Sequence, residues 1–129
     1  MIHTNFSGLW QANLSRSRMA GPAPSKIMVK IAHGEDVLTQ EVVITRQNGE
    51  QNRQVVSFSM TDPESVTELR GVPLRIRVRW NGPEMVIEST YSGTVFRDYW
   101  SLSTDGQVLT MEHRDDAIAG QVTVLERVM

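Results

Sequence analysis

The 129-residue sequence contains no cysteine, which removes a disulfide framework, thiol catalysis and thiolate metal sites from consideration. It has no run of ~18 apolar residues, so no segment reads as a transmembrane helix. Its first ten residues, MIHTNFSGLW, carry neither the basic region nor the apolar stretch of an export signal. As it stands the chain reads as cytoplasmic, although a form trimmed of such a signal would read the same. An excess of one charge is missing too: the formal net charge is -2, too small to draw nucleic acid or an anionic membrane by global electrostatics. Internal repeats, low-complexity tracts and helices of ordinary length are also absent from the pattern.

What remains is the composition of one compact domain spanning residues 1–129, 40% hydrophobic and 22% charged, enough to bury a single core. Apolar and polar residues alternate over short runs separated by turn signals, the pattern of an all-β sandwich or barrel. Strands are predicted at Ser7–Leu14, Lys26–His33, Val37–Arg46, Asn52–Met60, Ser65–Arg70, Pro73–Trp80, Glu84–Tyr91, Thr94–Leu102, Gln107–Arg114 and Gln121–Val128. The longest non-strand stretch, Ser15–Ser25, holds Gly21-Pro22-Ala23-Pro24, which limits it to a helical turn at most. It is a loop of a length to lie across a barrel mouth.

The second half lets the faces be assigned. A turn at Asn81-Gly82-Pro83-Glu84 pairs Trp80 with Met85, Val78 with Ile87, Ile76 with Ser89 and Leu74 with Tyr91, leaving Arg77 opposite Glu88. A turn at Ser92-Gly93 then pairs Ser89 with Phe96, Ile87 with Asp98, Met85 with Trp100 and Glu88 with Arg97. If Ser103-Thr104-Asp105-Gly106 is a four-residue turn, Trp100 meets Leu109, Asp98 meets Met111, Phe96 meets His113 and Arg97 meets Glu112. The result is a meander with one apolar face and one charged face, the latter bearing the row Arg77–Glu88–Arg97–Glu112. The row reads as a solvated salt-bridge ladder, or as an anion or nucleic-acid site on Arg75, Arg77 and Arg79, a reading its glutamates oppose.

Polar residues interrupt the apolar face: Ser89, Asp98 and His113 in the meander, and His33 and Gln40 on their own strands. A buried carboxylate or imidazole costs several kcal/mol unless it is hydrogen-bonded or wet. Asp98 and His113, expected as diagonal neighbours, could satisfy one another. Alternatively the set lines a partly hydrated cavity, mostly apolar with a few convergent polar groups, the usual make-up of a small-molecule site. Catalytic signatures are weak. Glu112-His113-Arg114-Asp115-Asp116 carries kinase-loop letters without the companion motifs. A metal held by His113, Asp115 and Asp116 is disfavoured, because adjacent strand residues point to opposite faces. His113 and Asp98 could act as base and orienting acid, with no nucleophile placed beside them. Tyr91 reads as a rim residue whose hydroxyl reaches water.

Phe6-Ser7-Gly8-Leu9-Trp10 resembles the G-x-W motif that opens the first strand of lipocalins and related calycins. Phe96-Arg97-Asp98-Tyr99 is similar to their T-D-Y motif, with Arg97 in place of the threonine. The family's third motif is an arginine packed over the tryptophan, for which Arg127 and Arg114 are both candidates. The whole string resembles the small lipocalin-like domains of bacterial proteins. It departs from fatty-acid-binding proteins in lacking room for a two-helix lid, and from typical lipocalins in lacking a C-terminal helix. Avidins open similarly, and Asn13, Ser15 and Ser17 lie where a ureido ring would bind, but Trp80 and Trp100 do not sit in avidin-like contexts.

The resemblance implies a single antiparallel up-and-down barrel of about eight to ten strands, closed on itself without sheet edges. It implies non-covalent binding of a small hydrophobic or amphipathic ligand by Gln40, Val78, Ile87, Ser89, Tyr91, Phe96, Asp98, Trp100, Met111 and His113, above a floor made by Trp10 and Arg127. Neither a cofactor nor a metal is expected, nor a nucleic-acid partner; the chain is expected to be a monomer or weak homo-oligomer. The alternatives are an interaction module with a filled barrel, acting through Arg75 and Arg79 or the 21–24 loop, and a lyase, isomerase or cyclase using His113 and Asp98.

Overall fold

A computed structural model describes residues 4–19, 23–113 and 121–128. The alternating segments form ten antiparallel strands: β1 (Gly8–Ala12), β2 (Lys26–His33), β3 (Val37–Thr45), β4 (Gln51–Ser59), β5 (Ser65–Leu69), β6 (Val72–Asn81), β7 (Glu84–Tyr91), β8 (Thr94–Leu102), β9 (Val108–His113) and β10 (Val122–Arg127). They hydrogen-bond in the order β4-β3-β2-β1-β10-β9-β8-β7-β6-β5. Sequence neighbours therefore pair throughout, except across β4 and β5, and β1 joins β10. No helix occurs among the described residues.

Turn chemistry explains why the hairpins form where they do. Gly82 has φ 63° and opens a two-residue turn closed by Asn81 opposite Glu84. Arg70-Gly71 (φ 53° and 79°) and Ser92-Gly93 (φ 49° and 78°) have two consecutive positive φ angles, the turn whose twist matches that of the flanking strands. The β6–β7 and β7–β8 registers follow the sequence reading residue for residue, including Trp80 opposite Met85 and Ile87 opposite Asp98.

The third hairpin differs by two residues: Trp100 faces Met111, Asp98 faces His113, and Glu112 faces Tyr99 instead of Arg97. The cause is a larger loop. Asp105 accepts hydrogen bonds from Ser103 Oγ (2.6 Å) and the Gln107 amide (3.1 Å), which holds Gln107 in the turn, and Ser103 N–H donates to the Val108 carbonyl at 2.9 Å. A shift of two preserves which face each residue occupies. It shortens the charged row to Arg77–Glu88–Arg97, in which Arg97 Nε donates to Glu88 at 3.1 Å while Arg77 and Arg75 share Glu64 at 3.2 and 3.1 Å.

Closure is also less complete than expected. β4 and β5 are the two ends of the sheet order and come side by side without a hydrogen-bonded ladder. At one end of this seam the Ser59 amide donates to Ser65 Oγ at 2.7 Å. The barrel is thus nearly closed, with two edges facing each other.

The core is concentrated at the end where β1 begins. Phe6, Trp10, Leu38, Met85, Leu109 and Leu125 are fully buried there, and the inward faces of β2, β6 and β7 add Val29, Ile31, Ile76 and Ile87. Farther along the strands the inward residues are only partly buried: Val42, Ile44, Val56, Tyr91 and Met111.

Candidate functional site

The closed end is built around Trp10. Its indole Nε1 donates to the Phe6 carbonyl at 3.1 Å, and the Arg127 guanidinium lies over its ring, with Cζ 4.3 Å from the centroid. Arg127 Nη1 donates to the Ser7 carbonyl (3.0 Å) and Nε to the Gly106 carbonyl (3.1 Å), tying the chain start to the β8–β9 loop. Arg127 is therefore the arginine over the tryptophan; Arg114 lies outside the described residues. Gly8 is required at this crossing: its φ is 151°, and a Cβ there would stand 2.5 Å from Arg127 Nη1. Residues 4–7 run across the floor. Phe6 stacks on Trp80 (6.2 Å) and meets Trp100 edge-on (5.6 Å). His33 Nδ1 accepts from the Phe6 amide at 3.1 Å, and its ring stacks on both Phe6 and Trp80. This polar interruption of the apolar face thus has a structural partner in the floor.

Above the floor the barrel is hollow. A cavity of about 500 Å³ lies in its interior, lined by Ile87, Ser89 and Tyr91 of β7, Phe96, Asp98 and Trp100 of β8, Met111 and His113 of β9 and, across the barrel, Gln40 of β3. Of the residues expected at the site, Val78 is the exception: it packs against the buried core instead of lining this cavity. A second lobe of about 600 Å³ opens toward the mouth, where Met19, Ala23 and Pro24 of the β1–β2 loop face Arg46, Gln47 and Asn48. The two lobes share Gln40, Ile44, Met111, Gln121 and Thr123 in their linings, so they adjoin inside the barrel.

Asp98 and His113 are direct cross-strand partners in this space, and His113 Nδ1 bonds the Asp98 carboxylate. Their side chains retain 22% and 24% exposure, so they face open space and not a dry core. The desolvation cost that a sealed ion pair would carry is correspondingly reduced. No described polar residue is fully buried: the interruptions are met by pairing and by the cavity together. Tyr91 sits at the cavity wall, but its hydroxyl donates to the Leu69 carbonyl (3.2 Å), joining the end of β7 to that of β5. Asn13, Ser15 and Ser17 are engaged in hydrogen bonds with one another and with β10. Ser17 Oγ accepts from the Val124 amide (2.9 Å) and donates to the Asn13 carbonyl (2.7 Å), and Ser15 Oγ donates to Asn13 Oδ1 (2.8 Å); none of the three lines either lobe.

Gln54, Gln121 and Thr123 extend the polar lining beyond the residues singled out from sequence. The same alternation would have found them, since Gln121 and Thr123 share parity with buried Leu125, and Gln54 with buried Phe58. Among the described residues no group of three or more His, Asp or Glu side chains is placed to hold a metal ion; Asp115 and Asp116 lie outside them. No helix of the described residues is long and apolar enough to cross a membrane.

No family model and no curated protein sequence matches the chain. Solved structures do match. Secretory abundant heat soluble protein 4 from Ramazzottius varieornatus superposes with a TM-score of 0.65 at 14% identity, covering 98% of each chain. The wild-type fluorescent protein UnaG superposes with a TM-score of 0.63 at 14% identity, covering 95% of this chain and 97% of its own. Likeness over nearly the full length at such low identity is a likeness of fold alone, and the fold here is a ten-stranded up-and-down barrel. The chain has a lipocalin-like calycin fold.

Proposed function

We propose that the protein binds a small hydrophobic or amphipathic molecule non-covalently inside the barrel. The observation that carries this reading is the hollow interior above a solid floor, two adjoining lobes with the Asp98–His113 pair set into an apolar wall. Apolar ligand area would be buried against Ile76, Ile87, Phe96, Trp100 and Met111 at ~25 cal/mol per Å². Gln40, Asp98 and His113, with Gln121 and Thr123, supply donors and acceptors for a polar group reaching the deep lobe. That lobe has no arginine or lysine in its lining, so the group it suits is uncharged or cationic. Function does not follow from fold alone; the support is the site. The filled-barrel alternative has less support, because the interior is hollow and Arg75 is already held by Glu64. The His113–Asp98 contact is what an acid–base reading would use, and turnover of a bound ligand that vanishes in His113→Ala while binding persists would establish it.

Native mass spectrometry of protein purified from its own host, with a thermal-shift panel of lipids and metabolites, tests the proposal. A co-purified small molecule or a saturable rise in Tm is expected. Ser89→Phe, which fills the deep lobe with apolar volume, is expected to keep the fold and weaken that ligand by about tenfold or more through lost contact area. Persistent emptiness without a thermal shift across the panel would overturn the reading.

A further inference from the structure

The unpaired seam between β4 and β5 is more than a defect in closure. A cleft of about 330 Å³ follows it, with Arg46, Arg53 and Arg70 in its lining and Glu68 as the carboxylate. Ile44, Gln54 and Leu69 line both this cleft and the deep lobe, and Val42, Ile44 and Arg46 line both it and the outer lobe. The cleft therefore adjoins the same cavity from the side. Toward the floor the seam is held shut by the Ser59–Ser65 bond, so the opening belongs to the mouth half of the barrel.

The three arginines are not equivalent. Arg53 is neutralised by Glu41, 3.0 Å away. Arg46 is engaged by a neutral partner: with its amide oxygen turned to the guanidinium, Asn52 accepts from Nε (3.2 Å) and Nη2 (2.8 Å), which fixes the side chain, and no carboxylate pairs with it among the described residues. Arg70 occupies the first position of the β5–β6 turn with φ 53° and has no carboxylate partner among the described residues. A left-handed backbone disfavours a long side chain, and asparagine or glycine would fit that turn better. Two guanidiniums with no ion-pair partner among the described residues thus flank the opening of an apolar cavity, one pinned by an amide and the other carried on an unfavourable backbone. Planar guanidinium donors of this kind suit carboxylate, sulfate or phosphate oxygens.

We propose that the β4–β5 cleft is an anion subsite, and that the ligand class is an amphiphile with its apolar body in the barrel and its anionic end held between Arg46 and Arg70. This deepens the reading above and rests on it. It also assigns polarity to the bound molecule: the acidic end lies at the side opening, and any uncharged polar group lies inward by Asp98 and His113. An amphiphile inserted acid-first would bring its charge to the Asp98 carboxylate in a lobe with no arginine or lysine in its lining.

The test uses n-dodecanoate and n-dodecanol, equal in chain length and different in end-group charge, titrated calorimetrically into the full chain and into Arg70→Asn and Arg46→Gln. Asparagine is at ease in the left-handed turn, and glutamine retains a donor for Asn52, so both variants keep the fold, checked by circular dichroism. In the wild type the carboxylate is expected to bind about tenfold tighter than the alcohol, the effect of one or two charge-assisted hydrogen bonds. The advantage is expected to fall with added salt and to shrink to about twofold or less in the double variant, with dodecanol affinity unchanged. Equal affinities in the wild type, or a carboxylate advantage untouched by both substitutions, would overturn the anion subsite and leave the cavity reading standing. Failure of both molecules to bind at any salt would overturn the two together.

Discussion

Gly8 and Arg127 show how a short motif encodes a close approach. The glycine matters because a guanidinium passes where its Cβ would be, and the guanidinium is there because it covers the Trp10 ring and serves the Ser7 and Gly106 carbonyls. Gly8→Ala is expected to cost roughly 1–3 kcal/mol in urea denaturation, from backbone strain and displacement of Arg127. Arg127→Ala alone should also destabilise, by roughly 1.5–3 kcal/mol if a charged donor pair is lost. In the double variant the alanine at position 8 no longer meets a guanidinium, so the two costs should fall short of additive by about 0.5 kcal/mol or more. Strict additivity would show that backbone conformation alone makes the glycine necessary. His33 belongs to the same scale. Its place beside Ile27, Val29 and Ile31 was readable from alternation, but its bond to the Phe6 amide was not, because that partner arrives from a segment outside any strand.

At the scale of elements, strand positions were legible almost in full because each is bounded by turn residues with a definite conformational demand. Gly82, Ser92-Gly93 and Arg70-Gly71 fix two-residue loops, and a two-residue loop fixes register. The β8–β9 connection has no such economy. Its length depends on whether Asp105 captures Gln107, a side-chain hydrogen bond with no counterpart in the hydrophobic pattern, and the register reading slipped by two residues there. Those same bonds, from Ser103 Oγ first and the Gln107 amide second, hold the Asp105 carboxyl below the ordinary aspartate value of 3.8. A depressed folded value means the turn is favoured above the unfolded value and loses that support as pH falls through the folded one. The amide-proton shift of Gln107, followed by NMR, should therefore titrate with a midpoint below 3.8. Asp105→Asn, which keeps an acceptor and removes the charge, should abolish the step and retain the register. A wild-type midpoint at or above the ordinary value would remove the hydrogen bonds as the cause.

For the whole molecule, the consequence of this arrangement is a division of labour along the barrel axis. The floor half is packed with fully buried Phe6, Trp10, Leu38, Met85, Leu109 and Leu125, and the mouth half is hollow. Alternation revealed which side chains face inward, and hence most of the cavity lining. It could not reveal that β4 and β5 leave a seam, because two strands with ordinary alternation look the same whether or not their edges meet. Hydrogen exchange separates the two halves. Amides of β1, β9 and β10, paired on both sides, should exchange by global opening, whereas residues 51–59 and 65–69 at the sheet edges should exchange by local opening at lower free energy. A ligand at 100 times its Kd stabilises the native state by about 2.7 kcal/mol, which slows globally exchanging amides by about a hundredfold. If the ligand's acidic end bridges Arg46 and Arg70, local opening of the seam must release it, and peptides covering both edges should be slowed together with the core. Slowing confined to globally exchanging amides, with the two edges unchanged, would mean that the occupant sits wholly inside the barrel and leaves the cleft empty.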